Sequence, residues 1–251
     1  MEPADFYSGI VVDAYAKLKS SSFEPGPYID FVRATGEPAL EIGCGDGDPM
    51  LDLCAAGLDV DGVDSSADMV RRCRENAVER GISTRVYHQR VESLDLERRY
   101  SAIYFAGPTF NLLADDRTAT RALHAIARHL TDDGAALIPL WIPDPTPSAD
   151  LQVSRTAEDG PAVELRYTPL SETYDKEART RTTTSRYERI ASSGTESADR
   201  EWIIHWHTPR SFVALCEDAG LEVVTLADDE TNTDASDTST GFTATVRNAS
   251  G

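Results

Sequence analysis

Short apolar runs alternate with amphipathic stretches through the first part of the chain. The apolar runs lie at residues 38–42, 59–64, 84–89, 101–107 and 134–142. Stretches with helical spacing separate several of them, at residues 49–57, 66–81 and 117–130. Strands and helices that alternate at these lengths cover both faces of a sheet with helices. The pattern therefore predicts an α/β domain with a doubly wound, mostly parallel sheet.

The pattern changes after Trp141. Runs rich in Thr, Arg, Tyr and Val alternate polar and apolar positions over roughly residues 150–207. Such alternation, broken by turn-like residues, predicts an antiparallel β insertion late in the domain. A helix over residues 208–220 and two strands, at 221–227 and 242–248, are expected to complete the core sheet with an antiparallel hairpin at its edge.

Capping residues mark where the predicted helices begin. Asp48 and Pro49 are expected to start the helix after the first strand, with Asp48 as its cap. Ser65 or Ser66 is expected to cap the helix after the second strand, and Thr208 the last helix.

The charge balance is strongly acidic, with 24 basic and 43 acidic residues and a net charge of −19. Such a surface repels nucleic acid and anionic lipid. No apolar run approaches the length that a membrane span needs. We therefore expect neither nucleic acid nor a membrane as a partner, although a basic protein tail stays open as a substrate.

Cysteine usage predicts a cytoplasmic location. The four cysteines, Cys44, Cys54, Cys73 and Cys216, form no C-x-x-C pair and fit neither a zinc site nor a disulfide framework. They are interpreted as reduced thiols. The first residues, "MEPADFYSG", contain acids and no apolar run, which is not typical of a signal peptide.

A glycine-rich loop follows the first apolar run, with Gly43, Gly45 and Gly47 in the segment "EIGCGDGDP". The spacing is neither the dinucleotide fingerprint nor a P-loop. Asp46 and Asp48 would repel a phosphate placed at the start of the following helix. The loop therefore predicts a ligand without a phosphate at this position.

Asp64 ends the second predicted strand, where a carboxylate suits the two hydroxyls of a ribose. S-adenosylmethionine has a ribose, a sulfonium cation and an amino-acid end, and no phosphate. It fits both the acidic loop and Asp64, and it is the predicted cofactor.

Five motifs in order resemble the class I S-adenosylmethionine-dependent methyltransferases, most closely the small-molecule enzymes with an antiparallel insertion. They are "LEIGCGDGD", "VDGVDSSADMV", "YHQRVESLDLERRYSAIYFAGPTFNLL", "HLTDDGAALIPL" and "TPRSFVALCEDAGLEVV". The resemblance covers residues 38–141 and 207–225. It implies a Rossmann-like fold and methyl transfer to an O or N atom of a small molecule. A non-methylating cyclase or binding protein on this fold, or a protein methyltransferase, remains an alternative.

The resemblance also implies a set of cofactor-binding residues. These are Tyr15, Glu41, Gly43, Cys44, Gly45, Asp64, Ser65, Met69, Gln89, Val91, Glu92, Phe105 and Ala106. The glycine loop would hold the methionine end, and Asp64 the ribose. The residues after the third strand would contact adenine, with the acid common in the family falling at Val91 or at Glu92. Tyr15 would cover the methionine end, and Phe105 would face the sulfonium.

Candidate catalytic residues come from "EWIIHWH", in which Glu201, Ile203, His205 and His207 share one face of a predicted strand. His207, or His205, is expected to act as a general base for the acceptor. The alternative is that both histidines are only hydrogen-bonded. No metal is expected, because no third ligand cluster is apparent beside them.

The chain is thus predicted to have four segments. Residues 1–37 form a helical lid, residues 38–141 the cofactor-binding core, residues 142–207 the insertion over the acceptor site, and residues 208–251 the rest of the core. A homodimer through the edges of the inserted sheet is a further possibility.

Overall fold

The computed structural model describes residues 6–18 and 23–249. The rest of the predicted lid segment 1–37, namely residues 1–5 and 19–22, lies outside the described residues. The helices are α1 Ile10–Leu18, α2 Gly26–Thr35, α3 Met50–Ala55, α4 Ala67–Glu79, α5 Asp116–His129 and α6 Pro209–Asp218. None of the helices in these ranges is long and apolar enough to cross a membrane.

The strands fall into two groups. The first group is β1 Ala39–Ile42, β2 Val60–Asp64, β3 Val86–His88, β4 Tyr100–Phe105 and β5 Leu130–Trp141. The second is β6 Arg155–Glu158, β7 Val163–Asp175, β8 Thr180–Ala191, β9 Gly194–His205, β10 Leu221–Asp228 and β11 Gly241–Asn248.

The core is a seven-stranded sheet in the order β10-β11-β5-β4-β1-β2-β3. The pairs β4–β5, β4–β1, β1–β2 and β2–β3 are parallel, and β11 runs antiparallel to both of its neighbours. The predicted fold class is confirmed: a mostly parallel Rossmann-like sheet with a separate antiparallel sheet and an antiparallel hairpin at the core edge.

Helices cover both faces of the core sheet, as the continuous apolar strands require. On β4, Ile103 and Phe105 pack in a cluster with residues of α5 and α6. The alternate residues Ala102 and Tyr104 pack in a second cluster with residues of α2, α3 and α4. The strand order places the ends of β1, β2 and β4 side by side, which is where ligands bind in doubly wound sheets.

The inserted sheet, β6 to β9, is an antiparallel meander that leaves the core after β5 and returns at α6. Buried Asn111 joins both junctions. Its side-chain amide donates to the Trp141 carbonyl at 2.8 Å and to the His205 carbonyl at 3.3 Å, and its Oδ1 accepts from the Trp141 N–H at 3.2 Å. One core side chain therefore fixes where the insertion begins and ends.

Most of the predicted helix starts are confirmed. Ser66, not Ser65, caps α4 by accepting from the Met69 N–H at 3.1 Å, and Thr208 caps α6 within a capping box. The prediction for α3 was wrong, because Pro49 occupies the cap position and no side chain caps the helix. Strand β5 also begins earlier than predicted, at Leu130, directly after α5.

Candidate active site

A cavity opens at the carboxyl ends of β1, β2 and β4. The residues that line it on the core side are Ile42, Gly43, Gly45, Val63, Asp64, Ser65, Met69, Gln89, Arg90, Val91, Glu92 and Phe105. The residues that line its other side are Phe6, Tyr7, Tyr15, Thr109, Leu112, Leu113, Ala114, Thr118, Glu201, Trp202 and Ile203. We call the first set the cofactor end and the second set the acceptor end.

The glycine loop follows a path that only glycine accepts without strain. Gly43 has φ of +74°, and a Cβ there would lie 2.5 Å from Cγ2 of Thr109. The Gly43 and Cys44 N–H groups both donate to the Val63 carbonyl, at 2.8 and 3.1 Å, which ties the loop to β2. At Gly45, φ is +53° and a Cβ would meet no atom within 4 Å. The loop backbone is thus accessible from the cavity at Gly45.

Asp64 orders this loop. Its Oδ2 accepts from the Gly45 N–H at 2.9 Å, and its Oδ1 accepts from the Ser66 N–H at 2.8 Å. Burial raises the pKa of the Asp64 carboxyl. Each oxygen has a further lone pair, so the carboxylate can still accept from two hydroxyl groups on the cavity side. A vicinal diol fits that requirement.

Three predicted residues support the cavity without lining it. Glu41 is completely buried, and neither carboxyl oxygen has a hydrogen-bond partner among the described residues. Burial raises the pKa of Glu41 well above its usual range, so the group is held neutral. Cys44 and Ala106 are also buried beside the loop and β4. These three are placed next to the cofactor end, one layer below its surface.

The turn after β3 contributes Gln89, Val91 and Glu92 to the cavity lining. Gln89 braces this turn, since its Oε1 accepts from the Asp95 N–H at 2.9 Å and its Nε2 donates to the Asp95 carbonyl at 3.2 Å. Both positions considered for the family acid, Val91 and Glu92, line the cavity.

The N-terminal aromatic residues cover the cavity from above α4. Tyr7 and Tyr15 both line it, with their rings in edge contact at 5.5 Å between centroids. Burial is the main cause that raises the pKa of each hydroxyl, so both stay neutral donors and acceptors. The Ser66 hydroxyl donates to the Tyr7 carbonyl, and the Gly9 N–H donates to Asp68 at 2.8 Å.

Helix α1 also connects the two sheets. Asp13 pairs with Arg72 of α4 at 2.8 Å and with Arg189 of β8 at 3.3 Å. Phe6 stacks edge-on against Tyr187 of the same inserted strand, at 6.2 Å between centroids. The N-terminal segment therefore closes the cavity by contacting both the core and the insertion.

The two candidate bases lie elsewhere. His205 and His207 are buried and are not among the described residues that line the cavity. Each has a ring nitrogen 3.6 Å from Oδ1 of Asp116, and Arg179 pairs with the other Asp116 oxygen. Burial lowers the pKa of His205, and it lowers the pKa of His207 to about 3. The geometry gives no support to a proton transfer between these rings and a molecule in the cavity.

The sequence did not single out the lining residues of the segment between β4 and α5. Thr109, Leu112, Leu113, Ala114 and Thr118 belong to it. The available signal was position, because this segment follows a parallel strand at its carboxyl end. Trp202 was assigned to the strand face opposite Glu201, yet both line the cavity.

Residues 39–134 match the sequence profile of a family described as a methyltransferase domain. No curated protein sequence matches the chain significantly. Similar solved structures include the CcbJ methyltransferase from Streptomyces caelestis, with 21% identity, 98% of this chain and 99% of that chain covered, and a TM-score of 0.77.

Two further structures of similar fold carry more specific descriptions. The amino pentose methyltransferase CalS10 from Micromonospora echinaspora is 18% identical, with 97% of this chain and 98% of that chain covered and a TM-score of 0.68. The sugar N-methyltransferase KedS8 from a Streptoalloteichus species is 19% identical, with 88% and 84% covered and a TM-score of 0.67. At these identities the likeness establishes the fold of the whole chain, including the inserted sheet.

Proposed function

This chain belongs to the class I S-adenosylmethionine-dependent methyltransferases, and we propose that it methylates an amine nitrogen of a small, sugar-like acceptor. The cofactor supplies an electrophilic methyl group on a sulfonium. The observation that carries the proposal is the set of ionisable groups in the cavity.

The ionisable side chains among the described lining residues are those of Tyr7, Tyr15, Asp64, Arg90, Glu92 and Glu201. None of them is a base strong enough to remove a proton from an alcohol. An alkylamine has a pKa near that of lysine, about 10, and gives up its proton to water in a usable fraction near neutral pH. An amine acceptor therefore needs only alignment and desolvation from the protein.

The cofactor end fits the family's cofactor. The Asp64 carboxylate would accept from the two ribose hydroxyls, while the open backbone at Gly45 allows close approach of the methionine end. Gln89, Val91 and Glu92 would border the adenine. A cationic sulfonium suits a cavity whose lining includes three carboxylates, those of Asp64, Glu92 and Glu201.

At the acceptor end, Glu201 is the group suited to an ammonium or amine. It lies on β9 beside Trp202, so a carboxylate and an aromatic wall border the same space. The neutral hydroxyls of Tyr7 and Tyr15 can accept or donate hydrogen bonds to sugar hydroxyls. The descriptions of the two similar structures, which name an amino pentose and a sugar nitrogen, support the same substrate class.

The test is a paired panel of acceptors. Amino pentoses and amino hexoses are compared with the sugars that carry a hydroxyl at the same carbon, and products are identified by mass spectrometry together with the S-adenosylhomocysteine formed. We expect N-methyl products and no methylation of the hydroxyl sugars. Equal kcat/KM for the hydroxyl series would contradict the nitrogen assignment.

A calorimetric titration separates the alternatives. We expect S-adenosylmethionine and S-adenosylhomocysteine to bind in the micromolar range, and NAD, which carries a pyrophosphate, not to bind. Cofactor binding without methyl transfer to any amine would favour the non-methylating cyclase or binding protein.

A further inference from the structure

A cluster of three metal-ligating side chains lies outside the cavity. Asp116 begins α5, His205 ends β9, and His207 lies in the segment between β9 and α6. We call these residues the Asp-His-His cluster. They are distant in sequence, and they meet where the inserted sheet returns to the core.

The distances within the cluster are too long for hydrogen bonds. Oδ1 of Asp116 lies 3.6 Å from Nε2 of His205 and 3.6 Å from Nδ1 of His207, and the three ligand atoms lie within 4.8 Å of one another. Ligand atoms about 3.3 Å apart surround a zinc ion when each bond is about 2 Å long. The cluster is therefore close to the size of a metal site.

A second observation points to a missing partner. Oδ1 of Asp116 is buried and has no hydrogen-bond partner among the described residues. Both histidines are buried as well, with exposures of 3% for His205 and 0% for His207. A buried carboxylate oxygen that faces two imidazoles is costly unless something pairs with it. A cation bound by all three groups would remove that cost.

We propose that the Asp-His-His cluster binds a divalent transition-metal ion of the zinc class. Two imidazole nitrogens and one carboxylate oxygen favour such an ion, whereas magnesium and calcium prefer oxygen ligands throughout. The ion would join the core, through Asp116, to the return of the insertion, through His205 and His207.

The position suggests a structural role at the acceptor end. Ala114 and Thr118 line the cavity two residues on either side of Asp116, and Ile203 lines it two residues before His205. An ion in the cluster fixes the spacing between these two parts of the cavity wall. The proposal is independent of which atom of the acceptor is methylated.

Arg179 is the group that opposes the ion. Its guanidinium pairs with Oδ2 of Asp116, and its Nη1 lies 3.5 Å from Nδ1 of His207. This cation lies outside the three ligand atoms, yet it repels a dication beside it. Arg179→Gln keeps a donor for Asp116 and removes the charge, so it should tighten metal binding, by about tenfold.

The first measurement uses the full wild-type chain, stripped with a chelator and then titrated with Co²⁺ and with Zn²⁺. We expect one ion per chain, visible d–d absorption from protein-bound Co²⁺, and its loss when Zn²⁺ displaces the ion. Saturating Zn²⁺ should raise Tm by roughly 5–10 °C. No Co²⁺ absorption and no change in Tm would overturn the proposal and leave an ion-free cluster.

Variants locate the ion. His205→Gln, His207→Gln and Asp116→Asn should each weaken metal binding by 100-fold or more. The matched control is His124→Gln, because His124 is exposed on α5 and should leave the affinity unchanged. Wild-type affinity in a folded His207→Gln protein would place the ion elsewhere and overturn the assignment. If those variants fold poorly, the tighter binding expected for Arg179→Gln still tests it, since an ion elsewhere would not respond.

Discussion

The two ends of the cavity are built in different ways. The cofactor end comes from turns that follow β1, β2 and β3 and from the last residue of β4. The acceptor end comes from the N-terminal segment, residues 109–118 and β9. Local sequence sets the first, because each turn is fixed by its own strand and glycine. The second exists only when three distant segments meet.

The difference also concerns the chemistry each end offers. The cofactor end presents backbone groups and the Asp64 carboxylate, whose geometry is fixed by the loop. The acceptor end presents aromatic and apolar side chains with Glu201. Changes at the cofactor end should therefore affect reaction with every acceptor, whereas changes at the acceptor end should affect the choice of acceptor.

The largest effect is expected for Asp64→Ala. The change removes the acceptor for the ribose hydroxyls and leaves the Gly45 and Ser66 N–H groups without their partner. We expect the Kd for S-adenosylmethionine to rise about 100-fold or more, measured by calorimetry, since hydrogen bonds to a charged group are worth about 1.5–3 kcal/mol each. Asp132→Ala, at an exposed site, is the control. Normal binding by a folded Asp64→Ala protein would contradict the ribose placement.

Gly43→Ala tests whether the loop is as constrained as its geometry indicates. The new Cβ would lie 2.5 Å from Thr109 Cγ2, at a φ of +74°. We expect the free energy of unfolding to fall by about 2–4 kcal/mol in urea titrations, from backbone strain and overpacking together. Thr109→Ser removes that methyl group, so the double variant should recover part of the loss.

Gly57→Ala is the matched control for this prediction. Its φ is +87°, and its Cβ would meet no atom within 4 Å, so it carries the strain without the contact. A cost at Gly43 equal to that at Gly57, with no recovery by Thr109→Ser, would show that the loop can move away.

Glu201→Gln tests the acceptor end by itself. Losing the carboxylate should raise KM for an amine acceptor about tenfold, while the Kd for S-adenosylmethionine stays unchanged. Steady-state kinetics with the preferred amine gives the first value, and calorimetry the second. Glu196→Gln, exposed on the same strand, is the control. A change in cofactor affinity equal to the change in KM would remove the distinction between the two ends.

The smallest effect is expected where α1 joins the core, at Asp68. The Gly9 N–H and then Arg71 lower the pKa of this carboxyl, so its contribution to stability is present above about pH 4 and is lost as pH falls further. Asp68→Asn should raise the cofactor Kd about two- to threefold at neutral pH and increase hydrogen exchange in α1. Asp30→Asn, exposed on α2, should change neither. Unaltered exchange in Asp68→Asn would mean that other contacts hold α1.

The core fold and the cofactor end could be predicted because they depend on local patterns. Buried strands, capping residues such as Ser66 and Thr208, and the glycine loop each leave a signal within a few residues. Asp48 misled the prediction of α3 because it has the residue type of a cap, while the turn places Pro49 at that position. A residue type is compatible with several backbone paths, and the surrounding turn selects one.

By itself, the sequence determined the alternation of strands and helices, the loop that excludes a phosphate, and Asp64 at the end of β2. The tertiary structure decided that His205 and His207 face Asp116 and not the cavity, and that Glu201 and Trp202 border it with Tyr7. The physical reason is range. Hydrogen bonds and backbone preferences act between near neighbours in the chain, whereas a pocket wall is set by how separate segments pack, and that packing leaves no spacing in the sequence to read.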